Sequence, residues 1–202
     1  MRIVGTLAAV VLLALSGCGG CGGVDLSGPS KDIVSESIEK EGDTWNVEIV
    51  STIDAPVDKV FEAFRHPERA HDHMPDNVLK SDLVSENGNV KVVDVIGRLE
   101  VLPPGFKVQN LRNEYTFFPD EKRFTSRSVE FSLADINSEY TLAATPDGTG
   151  TVVTLTQTNK TKAPMIVESL QKGAIKETYL TQIRAVKKAL GITDEPAGDA
   201  AS

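Results

Sequence analysis

The chain has 202 residues, of which 40% are hydrophobic and 25% charged, and its formal net charge at pH 7 is −8. This acidic balance argues against nucleic acid and against anionic lipid surfaces as binding partners. The length suits one domain with its own hydrophobic core, and a domain of this size can be stable without disulfide bonds.

The chain begins with an apolar run behind Arg2 that ends at Leu15-Ser16-Gly17-Cys18. Residues 3–15 are fewer than the roughly 20 apolar residues that a transmembrane helix needs. A basic start, an apolar middle and small residues before a cleavage point are typical of an export signal. The pattern resembles a bacterial lipobox, which implies that residues 1–17 are a lipoprotein signal peptide and that Cys18 is lipidated. The alternative is an ordinary cleaved signal with a coincidental cysteine.

Residues 18–44 are predicted to form the lipidated Cys18 and a flexible tether, because a Gly-rich, polar stretch cannot bury a core. The segment 32–43 leaves two alternatives, further tether or a short leading strand. If Cys18 is acylated, Cys21 has no partner for an intramolecular disulfide. We expect a protein of the bacterial cell envelope, held by its lipid anchor at the outer membrane or the periplasmic face.

Hydrophobic periodicity predicts the first elements of the domain. Residues 46–53 alternate between apolar and polar side chains and indicate a half-buried strand, which Asp54-Ala55-Pro56 ends. Apolar side chains at helical spacing then predict a helix over residues 57–64, and Pro56 suits its start. A short second helix is expected over residues 68–73.

After Pro75 the pattern has period two for about 80 residues. Strands are predicted at residues 79–86, 89–99, 106–118, 123–133, 138–144 and 152–158. The pair Asn87-Gly88 between two alternating runs is a strong hairpin signal. Short connections force antiparallel neighbours, so we expect a meander. Pro164 is predicted to open a long last helix that ends at Leu190, and residues 191–202 are expected to be a disordered tail.

This order of elements, together with Ile53-Asp54-Ala55-Pro56 and Val60-Phe61, resembles the START-like or SRPBCC superfamily of the polyketide cyclase/dehydrase and birch-pollen-allergen type. The resemblance covers about residues 45–190. It implies an α+β helix-grip fold, in which a curved antiparallel sheet of about seven strands carries two short helices after its first strand. A long C-terminal helix packs across the sheet and encloses a cavity, where the family mostly binds hydrophobic small molecules.

Candidate residues for such a cavity are polar groups on strands and residues in the first half of the last helix: Tyr115, Arg127, Glu130, Tyr140, Leu170, Gly173 and Ala174. A few polar groups in an apolar pocket orient the ligand. The face that each strand residue takes stays open, because a register shift of one residue reverses it. Gly173 costs a helix about 1 kcal/mol relative to Ala, so it provides either close packing or room for a ligand. We expect Ile183, Val186 and Leu190 to serve packing.

All three histidines lie within residues 66–76, beside several carboxylates. Such a cluster suits zinc binding or proton transfer. However, His71 and His73 are two residues apart and diverge by about 200° on a helix, so we expect a solvated loop and no metal site. The sequence has no nucleophile motif, phosphate-binding loop or dinucleotide fingerprint. We therefore predict no catalytic residue and no cofactor.

The sequence as a whole predicts a membrane-anchored lipoprotein whose helix-grip domain binds or carries a hydrophobic small molecule or lipid. One alternative is an enzyme of the polyketide cyclase/dehydratase kind. Another is an envelope interaction protein whose cavity is filled by its own side chains. The volume of the cavity and the titratable groups inside it distinguish these hypotheses.

Overall fold

A computed structural model describes residues 30–104, 107–131, 134–161 and 167–192 of the chain. The predicted lipobox with Cys18 and Cys21, the expected helix start at Pro164 and the tail from residue 193 onward lie outside the described residues. No helix among the residues described has both the length and the apolar character needed to cross a membrane.

The described residues form an antiparallel sheet of eight strands in the order β1-β2-β8-β7-β6-β5-β4-β3. The strands are β1 (Ser35–Glu41), β2 (Thr44–Ile53), β3 (Val78–Asn87), β4 (Val90–Arg98), β5 (Val108–Phe118), β6 (Arg123–Phe131), β7 (Ala134–Ala144) and β8 (Thr151–Thr161). The helices are α1 (Val57–Phe64), α2 (Ala70–His73) and the long α3 (Glu168–Ala189). The predicted α+β helix-grip fold is confirmed, with eight strands where about seven were expected.

The additional strand is β1, which lies within the range expected to be tether. It pairs with β2, and Ile38 stands opposite Val47. Ile38 is the one buried residue of this strand. The structure therefore has a leading strand in the segment 32–43, and the sheet begins before residue 44. An edge strand with a single buried side chain lacks the alternation by which strands are recognised in a sequence.

Tight turns keep the meander in register. The hairpin between β3 and β4 turns at Asn87-Gly88, as predicted, and Gly88 has a φ of +60° that a glycine adopts without strain. The connection between β5 and β6 consists of Pro119–Glu121 and Lys122, and Lys122 takes the left-handed backbone conformation with a φ of 49°. Each strand from β3 onward thus pairs with its neighbour in the chain.

The main core lies between the concave face of the sheet, α1 and α3. Inward positions of β2 and β8 supply Ile49, Ile53 and Leu155, and α1 supplies Val60 and Phe61. Each such side chain contributes about 1.5–3 kcal/mol when fully buried. This core extends along the whole of β2, from Trp45 to Ile53.

Polar side chains fix the position of α3 across the sheet. Trp45 Nε1 donates a hydrogen bond to Gln171 Oε1 over 2.9 Å, and the hydroxyls of Ser51 and Tyr179 are hydrogen-bonded to each other. The carboxylate of Glu177 accepts hydrogen bonds from the backbone N–H groups of Glu100 and Val101, which lie in the connection between β4 and β5. Helix α3 is therefore attached both to β2 and to this connection.

Candidate functional site

A cavity of about 250 Å³ lies between the concave face of the sheet and α3. Its walls come from β4 to β8, from the segment around α2, from the connection after β4 and from one side of α3. Pockets for drug-sized ligands span about 300–1,000 Å³. The cavity therefore suits a compact molecule.

The inner end of the cavity is apolar. Phe124, Tyr140 and Leu155 lie side by side on β6, β7 and β8, and we call these three residues the apolar row. The rings of Phe124 and Tyr140 are stacked, with centroids 4.4 Å apart and planes 7° from parallel. Phe64 of α1 packs 5.2 Å from Phe124 between ring centroids. This end of the cavity is therefore walled by packed aromatic rings.

A line of neutral polar side chains crosses the sheet next to the apolar row. Tyr115 pairs with Ser126, Ser126 with Ser138, and Ser138 with Gln157 on β5 to β8. All four residues line the cavity, and we call them the polar row. Ser138 Oγ donates to Gln157 Oε1 over 3.0 Å. The row presents hydroxyl and amide groups to the same space as the aromatic surface.

Further neutral amides surround this space. Gln171 and Gln182 of α3 accept hydrogen bonds from Trp45 Nε1 and from the Tyr140 hydroxyl. Asn159 of β8 lines the cavity, and its Oδ1 is buried with no hydrogen-bond partner among the described residues. Since a buried acceptor without a donor is costly, Asn159 is a position where a bound molecule gains by donating a hydrogen bond.

Charge is nearly absent from the described lining. Arg98 is the one permanently charged residue there, and the lining contains no Asp, Glu or Lys. The side chains of Arg98 and His66 are 44% and 41% exposed, so both lie at the solvent-facing rim. The interior of the cavity is therefore electrically neutral apart from its rim.

The tyrosines keep their protons well above neutral pH. Burial raises the pKa of Tyr115 and raises that of Tyr140 well above the ordinary value of 10.0. Burial also raises the pKa of Tyr179 to about 12, against the lowering effect of its hydrogen bond with Ser51. All three hydroxyls thus remain neutral hydrogen-bonding groups.

Several of the α3 residues that line the cavity are small. Ala174, Thr178, Ala185 and Ala189 line it, each one or more helical turns from the next. Ile183, on another side of the same helix, is fully buried in the main core. Larger α3 residues, among them Ile175 and Tyr179, line the cavity as well.

Three of the seven candidate residues line the cavity, namely Tyr115, Tyr140 and Ala174. Whether they contact a ligand stays a prediction. Leu170 packs instead against Leu102 in a small separate cluster. A Cβ placed on Gly173 would lie 3.6 Å from Val101, so this glycine lies against the connection after β4 and does not line the cavity. Of the residues expected only to pack, Val186 also lines the cavity.

Arg127 and Glu130 lie on the opposite, outer face of the sheet, which corrects their assignment as cavity candidates. Arg127 pairs with Glu114 at 2.8 Å, and Glu130 pairs with Arg112 at 2.9 Å. Glu130 lies on the outer face because β6 contains a β-bulge. Ser128 stands opposite Asn113 and Glu130 opposite Arg112, so Val129 is an extra residue that reverses the alternation.

The histidine segment forms a small ionic cluster at the rim of the cavity. His66 Nδ1 lies 2.9 Å from Glu68 Oε1, and the buried Lys91 Nζ donates to the same oxygen over 3.3 Å. His71 Nδ1 donates to the carbonyl oxygen of Val78 over 2.7 Å. The residues described hold no group of three or more His, Cys, Asp or Glu side chains arranged for a metal ion.

The polar row and the amides were not recognised from sequence, apart from Tyr115. Gln157 and Asn159 continue the inward series that begins at Val153 and Leu155. A polar residue at an inward position of a strand is a signal for a cavity. This signal can be used only when the register of the strand is known, because a shift of one residue would place the same side chains on the solvent-facing side.

A sequence model of a family described as polyketide cyclase / dehydrase and lipid transport matches residues 44–190 of the chain. The chain matches no curated protein.

Three solved structures are similar to the chain over most of their own lengths. The Zhui aromatase/cyclase from Streptomyces sp. R1128 is 18% identical with a TM-score of 0.63, and the match covers 77% of this chain and 98% of that one. A START superfamily protein from Mycobacterium smegmatis is 9% identical, with a TM-score of 0.58 and coverages of 72% and 97%. Major latex-like protein 151 from Panax ginseng is 16% identical, with a TM-score of 0.58 and coverages of 75% and 100%. At such identities these likenesses show a common fold.

Proposed function

The chain belongs to the polyketide cyclase / dehydrase and lipid transport family, and from this premise we propose that its helix-grip domain binds a compact hydrophobic molecule in the cavity. The observation that carries the proposal is the open space of about 250 Å³ between the packed aromatic rings of the sheet and α3. A protein that filled this space with its own side chains would carry larger residues at Ala174 and Ala185.

Binding rather than catalysis is favoured by the chemistry of the polar row. Proton transfer in an active site needs groups whose pKa values lie near the working pH. The polar row consists of serines, a glutamine and a tyrosine whose pKa burial raises further. Such groups orient a molecule by hydrogen bonds and keep their protons, so we propose a carrier or receptor for the ligand.

Native mass spectrometry of the purified protein tests the binding proposal together with Trp45 fluorescence. Trp45 is the single tryptophan of the chain and lines the cavity, so its emission reports occupancy. We expect a co-purified small molecule, or a change in emission on adding naphthalene. Ala174→Phe should abolish either signal, whereas the matched variant Ala143→Phe, at an exposed position of β7, should retain it. The proposal fails if the wild type gives neither signal.

We further propose that lipidated Cys18 holds the domain at a membrane of the bacterial cell envelope. The proposal is supported by Leu15-Ser16-Gly17-Cys18 behind a short apolar run, and two or more acyl chains give stable anchoring. Cys18→Ser should move the protein to the soluble fraction and abolish acyl labelling, while Cys21→Ser serves as the control. Unchanged membrane association of the Cys18 variant would overturn the anchor.

A further inference from the structure

We propose that the polar row and Asn159 bind hydroxyl or carbonyl groups along one edge of the ligand, so that the cavity selects a neutral polar-edged ring over a hydrocarbon and over a carboxylate. This inference rests on the proposed function and deepens it. It assigns specificity to Ser126, Ser138, Gln157 and Asn159, all of which line the cavity.

The first support is the register of the strands. Alternate residues of a strand lie about 6.5–7 Å apart on the same face. Ser138 therefore lies about that far from Tyr140, and Gln157 about that far from Leu155, along β7 and β8. This spacing is close to the width of a small ring system. A molecule of that size that packs against the apolar row thus brings one edge to the polar row.

The second support is the unfilled hydrogen-bonding capacity of Asn159. Asn159 stands opposite Trp45 on β2 and opposite Ile136 on β7, and neither of these side chains gives its Oδ1 a donor among the described contacts. The Trp45 N–H is directed to Gln171 instead. A hydroxyl of a bound molecule is the kind of group that satisfies this acceptor.

The third support is the neutrality of the described interior. A carboxylate taken into this space would lose its hydration without meeting a cation, which is costly. Arg98 lies at the rim, and its guanidinium approaches Glu100 at 4.0 Å. An acidic ligand therefore has no counter-charge beside the polar row, whereas a neutral hydroxyl or carbonyl group finds both donors and acceptors there.

Isothermal calorimetry with three probes of equal ring size tests the inference: naphthalene, 2-naphthol and 2-naphthoate. The wild-type protein should bind 2-naphthol about three- to tenfold more tightly than naphthalene, which corresponds to one or two net hydrogen bonds. It should bind 2-naphthoate more weakly than either. Gln157→Leu and Asn159→Leu should each lower the affinity for 2-naphthol by a similar factor and leave naphthalene binding unchanged.

Asn137→Leu is the matched control for Asn159→Leu, because Asn137 lies on the outer face of β7 and is exposed. It should leave the affinity for all three probes unchanged. Ser138→Ala, which removes one oxygen, provides a milder variant if a leucine variant does not fold, and it should weaken 2-naphthol binding selectively.

The inference is overturned if 2-naphthol binds no better than naphthalene, if 2-naphthoate binds most tightly, or if the variants weaken naphthalene and 2-naphthol equally. These outcomes leave the binding function intact, since the probes still bind. If the wild type binds none of the three, both the binding function and this inference are wrong.

Discussion

Asp32 Oδ1 lies 2.6 Å from Lys187 Nζ, although 155 positions separate the two residues in the chain. The carboxylate of Asp32 is almost fully buried, and Arg184 approaches its other oxygen at 3.5 Å. The contact joins the segment before β1 to the last turns of α3. The leading strand and the closing helix are therefore fastened to each other as well as to the sheet.

Asp32→Asn should lower the free energy of unfolding at neutral pH by about 1.5–3 kcal/mol, the usual worth of hydrogen bonds to charged groups. Burial raises the pKa of Asp32, but the hydrogen bond and charge of Lys187, with Arg184, outweigh it and hold the pKa below 3.8. The folded state thus binds fewer protons than the unfolded state, so the stabilisation by ionised Asp32 is fully present above its ordinary pKa of 3.8. This stabilisation is lost as the pH falls through the lower pKa that Asp32 has in the folded state.

Urea unfolding of wild type and Asp32→Asn at neutral and at acidic pH measures this difference. The gap in unfolding free energy should narrow as the pH falls below 3.8, the ordinary pKa. Asp43→Asn is the control, because Asp43 pairs with Lys160 at the exposed surface and its removal should change stability little. Equal losses of unfolding free energy in Asp32→Asn and Asp43→Asn would contradict the idea that burial makes the Asp32 ion pair the stronger one.

The three tyrosines of the chain should not ionise while the protein is folded. Their raised pKa values mean that the folded state keeps protons which the unfolded state loses above pH 10.0. The tyrosines therefore do not lower the free energy of unfolding below pH 10.0. This free energy decreases as the pH rises from 10.0 toward about 12, the pKa of Tyr179 in the folded state. Tyrosinate absorbance should appear together with the loss of circular dichroism, whereas urea-unfolded protein should titrate near the ordinary value. A separate tyrosinate step in folded protein would contradict this.

Gly173→Ala should raise the free energy of unfolding by about 0.5–1 kcal/mol, since alanine is the better residue inside a helix. The added Cβ would make an ordinary contact with Val101 at 3.6 Å. Gly88→Ala should have the opposite effect and cost about 1–2 kcal/mol, because the backbone there has a φ of +60°. Thermal unfolding of both variants checks the pair, and destabilisation by Gly173→Ala would show that Val101 has no freedom to adjust.

Ile183→Ala should lower the free energy of unfolding by about 2–5 kcal/mol, because Ile183 is fully buried and its truncation leaves a cavity in the core. The affinity of the folded Ile183→Ala variant for a cavity probe should equal that of the wild type. Val186→Ala should alter both properties, since Val186 belongs to the core and also lines the ligand cavity. Urea unfolding and probe titration together separate the two effects, and a changed affinity in Ile183→Ala would argue against this division of α3.

The elements with strong local signals could be predicted from the sequence. Asn87-Gly88 placed the hairpin between β3 and β4, and the alternation of residues 46–53 identified β2. The family was recognised from Ile53 to Phe61, and the match to residues 44–190 confirms it. Strand β1 gave no such signal, because Ile38 is its single buried residue.

The site was harder to predict because it depends on which face each strand residue takes. The bulge at Val129 places Glu130 outside although Ser128, two residues earlier, lines the cavity. A bulge leaves no mark in the alternation of a short strand. Gly173 illustrates the same limit on a helix, since its neighbour Val101 belongs to a connection whose path depends on Glu177.

Four of the α3 side chains that line the cavity are small, at Ala174, Thr178, Ala185 and Ala189. Exchanging one of them for valine or glycine would alter the available volume without touching a strand or a turn. The strand pairing fixes the frame, and this helix surface sets which molecules fit. Chains with this architecture are therefore free to diverge in ligand preference by single substitutions while their backbone stays the same.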